Sequence, residues 1–148
     1  MHFSKPGAIK QGAADAKLEA LDKLVGVWEV SDPSGDDAIE GQLVFEWMVG
    51  RRFLIQQVNL HGMQGIEVIG YDEASDSLRS HYFDSSGQMI TYRYELDDDR
   101  ITVALDVKGR RGQFTGTFAD DGNSFSGRWA WAHDGEELHF DACMTRIE

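Results

Sequence analysis

Alternation of apolar and polar residues along most of the chain constrains the fold more than any other feature. Ile101, Val103 and Leu105 alternate with polar residues such as Arg100 and Thr102. The same period of two recurs in residues 39–47, 125–131 and 138–144. Because successive side chains of a β-strand point to opposite faces, this pattern predicts strands with one buried face.

Clusters of Gly, Asp, Asn and Ser lie between the alternating runs and predict turns that divide the chain into about ten strands. Turns this short join antiparallel neighbours, which favours an up-and-down order. An open sheet of that size would expose two edges, whereas closure removes both. We therefore predict an all-β fold, a closed up-and-down antiparallel barrel of about ten strands, with Pro6 and Pro33 outside the strands.

The N-terminal segment follows a different pattern. Residues 1–14 carry little periodicity and are predicted to form a flexible arm, whereas residues 15–148 are predicted to form a single barrel domain. Asp15 is a candidate helix cap, and three leucines within residues 18–24 recur after it at nearly helical spacing. A helix this short gains its stability from packing, so we expect it to cap one end of the barrel.

Gly26, Trp28 and Arg146 are predicted to close the capped end of the barrel. Trp28 shares a strand face with Val30 and is expected to point inward, and Arg146 ends the apolar face of the last strand. The first and last strands of a closed meander are neighbours, so the indole and the guanidinium should meet. Burial of the indole outweighs the cation–π contact, which makes this a structural plug. Gly26 allows the backbone to turn closely beside it.

The arrangement of a helical turn, Gly26-x-Trp28 and Arg146 resembles the calycin signature of lipocalins and fatty-acid-binding proteins, over the chain from about Leu18 to Ile147. The stretches FEWMVGRRFL, IGYDEASDSLRSHYFDSSG and FSGRW are most similar to bacterial calycin-like proteins of unassigned function. They also resemble the ten-stranded haem barrels called nitrobindins. The resemblance implies a barrel that holds a small, mostly apolar ligand in its interior.

Charge and cysteine content restrict the partners. A formal net charge of −12 disfavours nucleic acids and anionic membrane surfaces. Cys143 is the single cysteine, which excludes an intrachain disulfide and a thiolate metal site. No run approaches the ~20 apolar residues of a membrane span, and the N-terminus lacks the apolar stretch of a signal peptide. We expect a cytoplasmic protein without a metal site, since the histidines show no ligand spacing.

Candidate ligand-binding residues are aromatic or polar side chains within the predicted strands. Phenols at alternate positions suit an apolar pocket with a few hydrogen-bonding groups, and a mid-strand histidine can reach into a cavity. Ordinary core packing and a solvated histidine are the alternatives. The candidates are Trp47, Gln57, His81, Tyr92, Tyr94, Trp129 and Trp131.

The leading functional hypothesis is binding of a small apolar or aromatic molecule in the barrel interior. One alternative is haem or gas-ligand binding through His81. Another is an isomerase or hydrolase that uses His81 and a tyrosine, with no catalytic residue or cofactor assigned. A homodimer formed through an outer barrel face is a further alternative.

Overall fold

A computed structural model describes residues 8–33, 35 and 39–148. Helix α1 (Ala8–Ala20) runs directly into a 3₁₀ turn (Leu21–Leu24). Ten strands follow: β1 (Gly26–Ser31), β2 (Ile39–Trp47), β3 (Phe53–Leu60), β4 (Met63–Asp72), β5 (Ser77–Asp84), β6 (Met89–Asp97), β7 (Arg100–Leu105), β8 (Arg111–Phe118), β9 (Ser124–His133) and β10 (Glu136–Arg146).

The strands form one closed barrel in which each strand pairs with its chain neighbours and β1 pairs with β10. All pairings are antiparallel. The prediction of a closed up-and-down barrel of about ten strands is confirmed, and this architecture is consistent with a calycin-like fold. Because β1 and β10 pair with each other, the described sheet has no strand with an unpaired edge.

Helix α1 begins at Ala8, earlier than the Asp15 cap predicted. Asp15 instead accepts a hydrogen bond at 2.7 Å from Arg52, which lies in the β2–β3 turn. The helix therefore takes in residues 8–14 of the predicted arm, and residues 1–7 lie outside the described residues. Leu21 and Leu24 are fully buried against the barrel end, so the helical segment covers that end as expected.

The capped end is held by contacts between the two ends of the barrel sequence. Trp28 is fully buried and donates its indole N–H to the Leu24 carbonyl oxygen at 2.8 Å. The Arg146 guanidinium carbon lies 4.2 Å from the centre of the Trp28 ring. Arg146 also donates to the carbonyl oxygens of Lys23 at 3.0 Å and Gly122 at 3.1 Å, so one side chain binds the helical segment and a strand turn together.

Gly26 has a φ of +138°, a conformation that side chains rarely adopt. A Cβ atom there would lie 2.6 Å from both Arg146 Nη1 and the Glu148 carbonyl oxygen. Glycine is therefore required both by the backbone and by the close approach of Arg146.

Candidate functional site

A cavity of about 320 Å³ extends through the barrel interior. It reaches from Leu24 at the capped end to Met63 at the opposite end. There the wall includes the exposed side chains of His61 and Phe140, so the cavity opens to solvent away from α1. Most of the wall is aliphatic or aromatic: it includes Phe45, Val58, Ile101, Val103, Phe114, Phe125, Trp129 and Met144.

One carboxyl group lies inside this wall. Glu67, halfway along β4, has 2% of its surface exposed. Its Oε1 accepts hydrogen bonds from the Tyr94 hydroxyl at 2.7 Å and from the Gln56 amide. Its Oε2 accepts one from the Ser80 hydroxyl at 2.6 Å. We call Gln56, Glu67, Ser80 and Tyr94 the Glu67 cluster.

Four adjacent strands, β3 to β6, each contribute one member of the Glu67 cluster. Gln56 is the direct cross-strand partner of Glu67 in the β3–β4 register. Ser80 pairs with Ile69, two residues along β4 on the same face, and so reaches Glu67 diagonally. Because side chains alternate between the two faces of a strand, all of these polar side chains point to the interior from one part of the cavity wall.

Electrostatics in the Glu67 cluster favour the neutral acid. Burial raises the pKa of Glu67, because desolvation penalises the carboxylate, and hydrogen bonds from Ser80, Tyr94 and Gln56 oppose part of that rise. Burial also raises the pKa of Tyr92 to about 12, with a further contribution from the nearby Glu67 charge. Among the described residues that line the cavity there is no lysine or arginine to balance a carboxylate.

The Glu67 cluster can therefore act chemically in two ways. A neutral carboxyl can donate one hydrogen bond and accept others, whereas the ionised form accepts only. Because hydroxyl groups rotate and the Gln56 amide can present either end, the same partners satisfy both forms. The arrangement suits recognition of a polar group on an otherwise apolar ligand, coupled to uptake or release of a proton.

Three predicted site residues, Tyr92, Tyr94 and Trp129, line the cavity. The ring of Tyr92 lies 6.1 Å from that of Trp129, at a steep angle, and Trp129 lies 5.5 Å from Phe114. Tyr92 also contacts the ring of Tyr82, with centres 6.3 Å apart. These edge-to-face and tilted contacts fix the orientation of a continuous aromatic wall next to the Glu67 cluster.

Trp131 and Trp47 face inward but occupy other positions. Trp131 stacks on Trp129 with ring centres 5.0 Å apart and covers Gly112, where a Cβ would meet its ring. It therefore supports the aromatic wall from the side of the open end. Trp47 lies at the capped end, where its indole N–H donates to Asp22 at 3.0 Å.

Gln57 and His81 lie on the outer face of the barrel, which corrects the expectation that they point inward. The buried positions of β3 include Gln56 and Val58, and those of β5 include Ser80, so the residues between them face outward. Gln57 borders a groove on the outer face, and the His81 side chain is exposed to solvent.

The central residue of the site, Glu67, was missed from the sequence. It lies in the run Ile66-Glu67-Val68-Ile69. Because both faces of this strand carry apolar residues, alternation does not show which face points to the barrel interior. A single charge within so apolar a run was the available signal, since such a residue is either solvated on the outer face or buried with partners.

The described residues contain no group of three His, Cys, Asp or Glu side chains placed to hold a metal ion. Within the same residues, no helix has the length and apolar character needed to cross a membrane. No protein-family model matches the chain, and no curated protein is significantly similar to it.

Proposed function

We propose that this chain is a calycin-like barrel that binds one small, largely apolar or aromatic molecule in its interior. The observation that carries the proposal is the cavity of about 320 Å³, walled by aromatic and aliphatic side chains and open at one end. Ligand sites typically range from roughly 300 to 1,000 Å³ and are mostly apolar with a few placed polar groups. A cavity at the small end of that range favours a ligand of one or two rings.

The wall supports an aromatic ligand in particular. Tyr92, Phe114 and Trp129 present ring faces and edges to the same space, held by contacts among themselves. A flat ligand gains from offset and edge-to-face contacts with rings that are already ordered, at little cost in side-chain entropy. The Glu67 cluster supplies the polar group that orients such a ligand.

Binding or catalysis through His81 has no support from this geometry, because its side chain is exposed on the outer face. A cytoplasmic location and a homodimer stay predictions. Exposed apolar side chains on the outer face, including Ile66, Phe83 and Met89, are where we would look for a dimer contact.

The test is a titration with N-phenyl-1-naphthylamine, a neutral dye whose fluorescence rises in apolar surroundings. A matched pair of variants locates the dye: Ala142→Phe fills the cavity from β10, whereas Ala130→Phe adds the same ring on the exposed face of β9. We expect saturable binding to the wild type and to Ala130→Phe. We expect affinity to fall by about tenfold or more in Ala142→Phe.

Circular dichroism and thermal unfolding show whether each variant is folded. If Ala142→Phe does not fold, Val58→Phe replaces it, because it fills the same cavity from β3. Equal binding by wild type and both cavity-filling variants would place the dye outside the barrel. Absence of saturable binding to the folded wild type would refute the proposal.

A further inference from the structure

We infer that the ligand of this cavity carries a protonated amine beside its apolar body, and that Glu67 is the counter-charge that receives it. The inference rests on the proposed function and specifies the chemical class of its ligand. Three observations carry it: the charges in the wall, the hydrogen bonding of Glu67 and the rings beside it.

The charges in the cavity wall are acidic. Glu67 lies inside and Glu40 lies near the open end, and the described lining residues include no lysine or arginine. Two basic side chains lie outside the described lining or at its edge: His61 is at the mouth, largely exposed, with its Nε2 3.8 Å from Glu40 Oε2, and Arg110 in the β7–β8 turn acts on Tyr92. An anionic head group would meet like charge in a region of low dielectric constant, whereas a cationic one would meet opposite charge.

Hydrogen bonding leaves Glu67 able to accept a ligand. The three donors of the cluster hold the carboxyl group in one orientation. Oε1 accepts two hydrogen bonds, whereas Oε2 accepts one, from Ser80, at 2.6 Å. Because a carboxylate oxygen accepts about two hydrogen bonds, Oε2 retains the capacity for one ammonium N–H. A charge-assisted bond there would be short and strongly directional.

The rings around Glu67 suit a cation as well. Tyr82, Tyr92 and Trp129 follow one another with ring centres 6.3 and 6.1 Å apart, and all three line the cavity. Tyr82 is also the cross-strand partner of Glu67. An ammonium group beside Glu67 would lie next to aromatic faces, whose negative quadrupole attracts it, while the rest of the ligand packs on the apolar wall.

Binding of an amine is then coupled to release of a proton. In the empty cavity burial raises the pKa of the Glu67 carboxyl, which favours its protonated form. When an ammonium group arrives, the carboxyl proton leaves to solvent, and the resulting carboxylate pairs with the ammonium. The net reaction is exchange of one proton for one organic cation, with no change in the charge of the filled cavity.

Other groups could contribute to this proton count and have to be separated from Glu67. The titratable groups that line the interior or its mouth are Tyr82 from β5, Tyr92 and Tyr94 from β6, Glu40 from β2 and His61 from the β3–β4 turn. Asp84 interacts with Tyr82, and Arg110 in the β7–β8 turn acts on Tyr92. β3 presents Gln56, which does not titrate. Burial raises the pKa values of Tyr82, Tyr92 and Tyr94, so these phenols stay neutral near pH 7.

The experiment compares three probes with one skeleton: 1-naphthylmethylamine, 1-naphthalenemethanol and 1-naphthoic acid. Calorimetry between pH 5 and 8, in two buffers of different ionisation enthalpy, gives affinities and the number of protons released. We expect the amine to bind about tenfold or more tightly than the alcohol, and the acid most weakly. We expect the amine alone to release protons.

Glu67→Gln should remove both the amine preference and the proton release. Glu95→Gln makes the same charge change on the exposed face of β6 and should retain both. If Glu67→Gln does not fold, the wild-type proton count tests the inference by itself: no release at any pH would overturn it.

The inference and the proposed function fail in different ways. Equal or tighter binding of the alcohol would overturn the amine inference and leave the proposed function intact. An amine preference that persists in Glu67→Gln would also overturn it. If the wild type bound none of the probes and did not bind the neutral dye, both would be wrong.

Discussion

The stability of the empty barrel should depend on pH through Glu67, in the sense opposite to ordinary acid denaturation. Burial raises the pKa of this group above its ordinary value of 4.5. At pH values between 4.5 and the raised pKa of the folded state, folded Glu67 holds a proton that the unfolded chain has lost. The free energy of unfolding therefore falls as pH rises through this range. The slope for one such group approaches about 1.4 kcal/mol per pH unit.

Glu67→Gln removes this dependence. The amide has nearly the shape of the neutral acid and can use the same partners in the cluster. Wild type and variant should therefore differ little in slope below pH 4.5, the ordinary value for the carboxyl. Above it, the variant should gain on the wild type by about 1.4 kcal/mol per pH unit, until the pH reaches the pKa of the folded state.

Other carboxyl groups contribute with the opposite sign, but they cancel in the comparison. Hydrogen bonds from Ser86 and Arg128 lower the pKa values of Asp84 and Asp141, so their stabilisation is lost as pH falls. These groups are the same in both proteins. The difference in unfolding free energy between variant and wild type therefore isolates residue 67.

Urea unfolding followed by tryptophan fluorescence, at half-unit steps from pH 4 to 8, measures that difference. Glu95→Gln is the control, because it removes an exposed carboxylate from the outer face. Its difference from wild type should be small at every pH, as expected for a surface substitution. A Glu67→Gln difference that stays constant across the range, or turns against the variant as pH rises, would refute the reasoning.

Three further substitutions test the packing of the barrel and of the helix at its end. Arg146→Met removes the hydrogen bonds to the Lys23 and Gly122 carbonyl oxygens and should lower the free energy of unfolding by about 2–4 kcal/mol, measured by urea unfolding; an unchanged midpoint would contradict this. Gly127→Ala places a Cβ against the Thr115 main chain and should cost about 2 kcal/mol or more, whereas Gly12→Ala in the open interior of α1 should gain about 0.5–1 kcal/mol. Equal melting temperatures for the two glycine variants would contradict the contact at Gly127.

The fold was predictable because its signals are local. Alternation gave the strands, short turns gave the antiparallel order, and closure followed from the edges that an open sheet would leave. Once the barrel is closed, β1 and β10 are neighbours, and this brings Trp28 beside Arg146. The start of α1 was missed because Ala8 to Ala14 shows no apolar period, although alanine strongly favours helix.

The site was harder to predict because it depends on which face of each strand points to the interior. Gln56 and Gln57 are adjacent and identical, and only the register of β3 decides which one faces the cavity. His81 and Ser80 pose the same choice on β5, where both faces mix polar and apolar residues. A shift of one residue exchanges the two faces, so a polar strand conceals its inner side until its neighbours are known.

The seam between β1 and β10 has a consequence for synthesis. Contacts such as that between Arg146 and the Val25 carbonyl oxygen join residues 121 positions apart. Closing so long a loop is costly and slow, so the seam should form late in folding. During synthesis the strands emerge in chain order, so the edge of β1 that pairs with β10 stays unpaired until β10 emerges. Newly made chains are therefore most open to strand exchange with one another just before β10 is released.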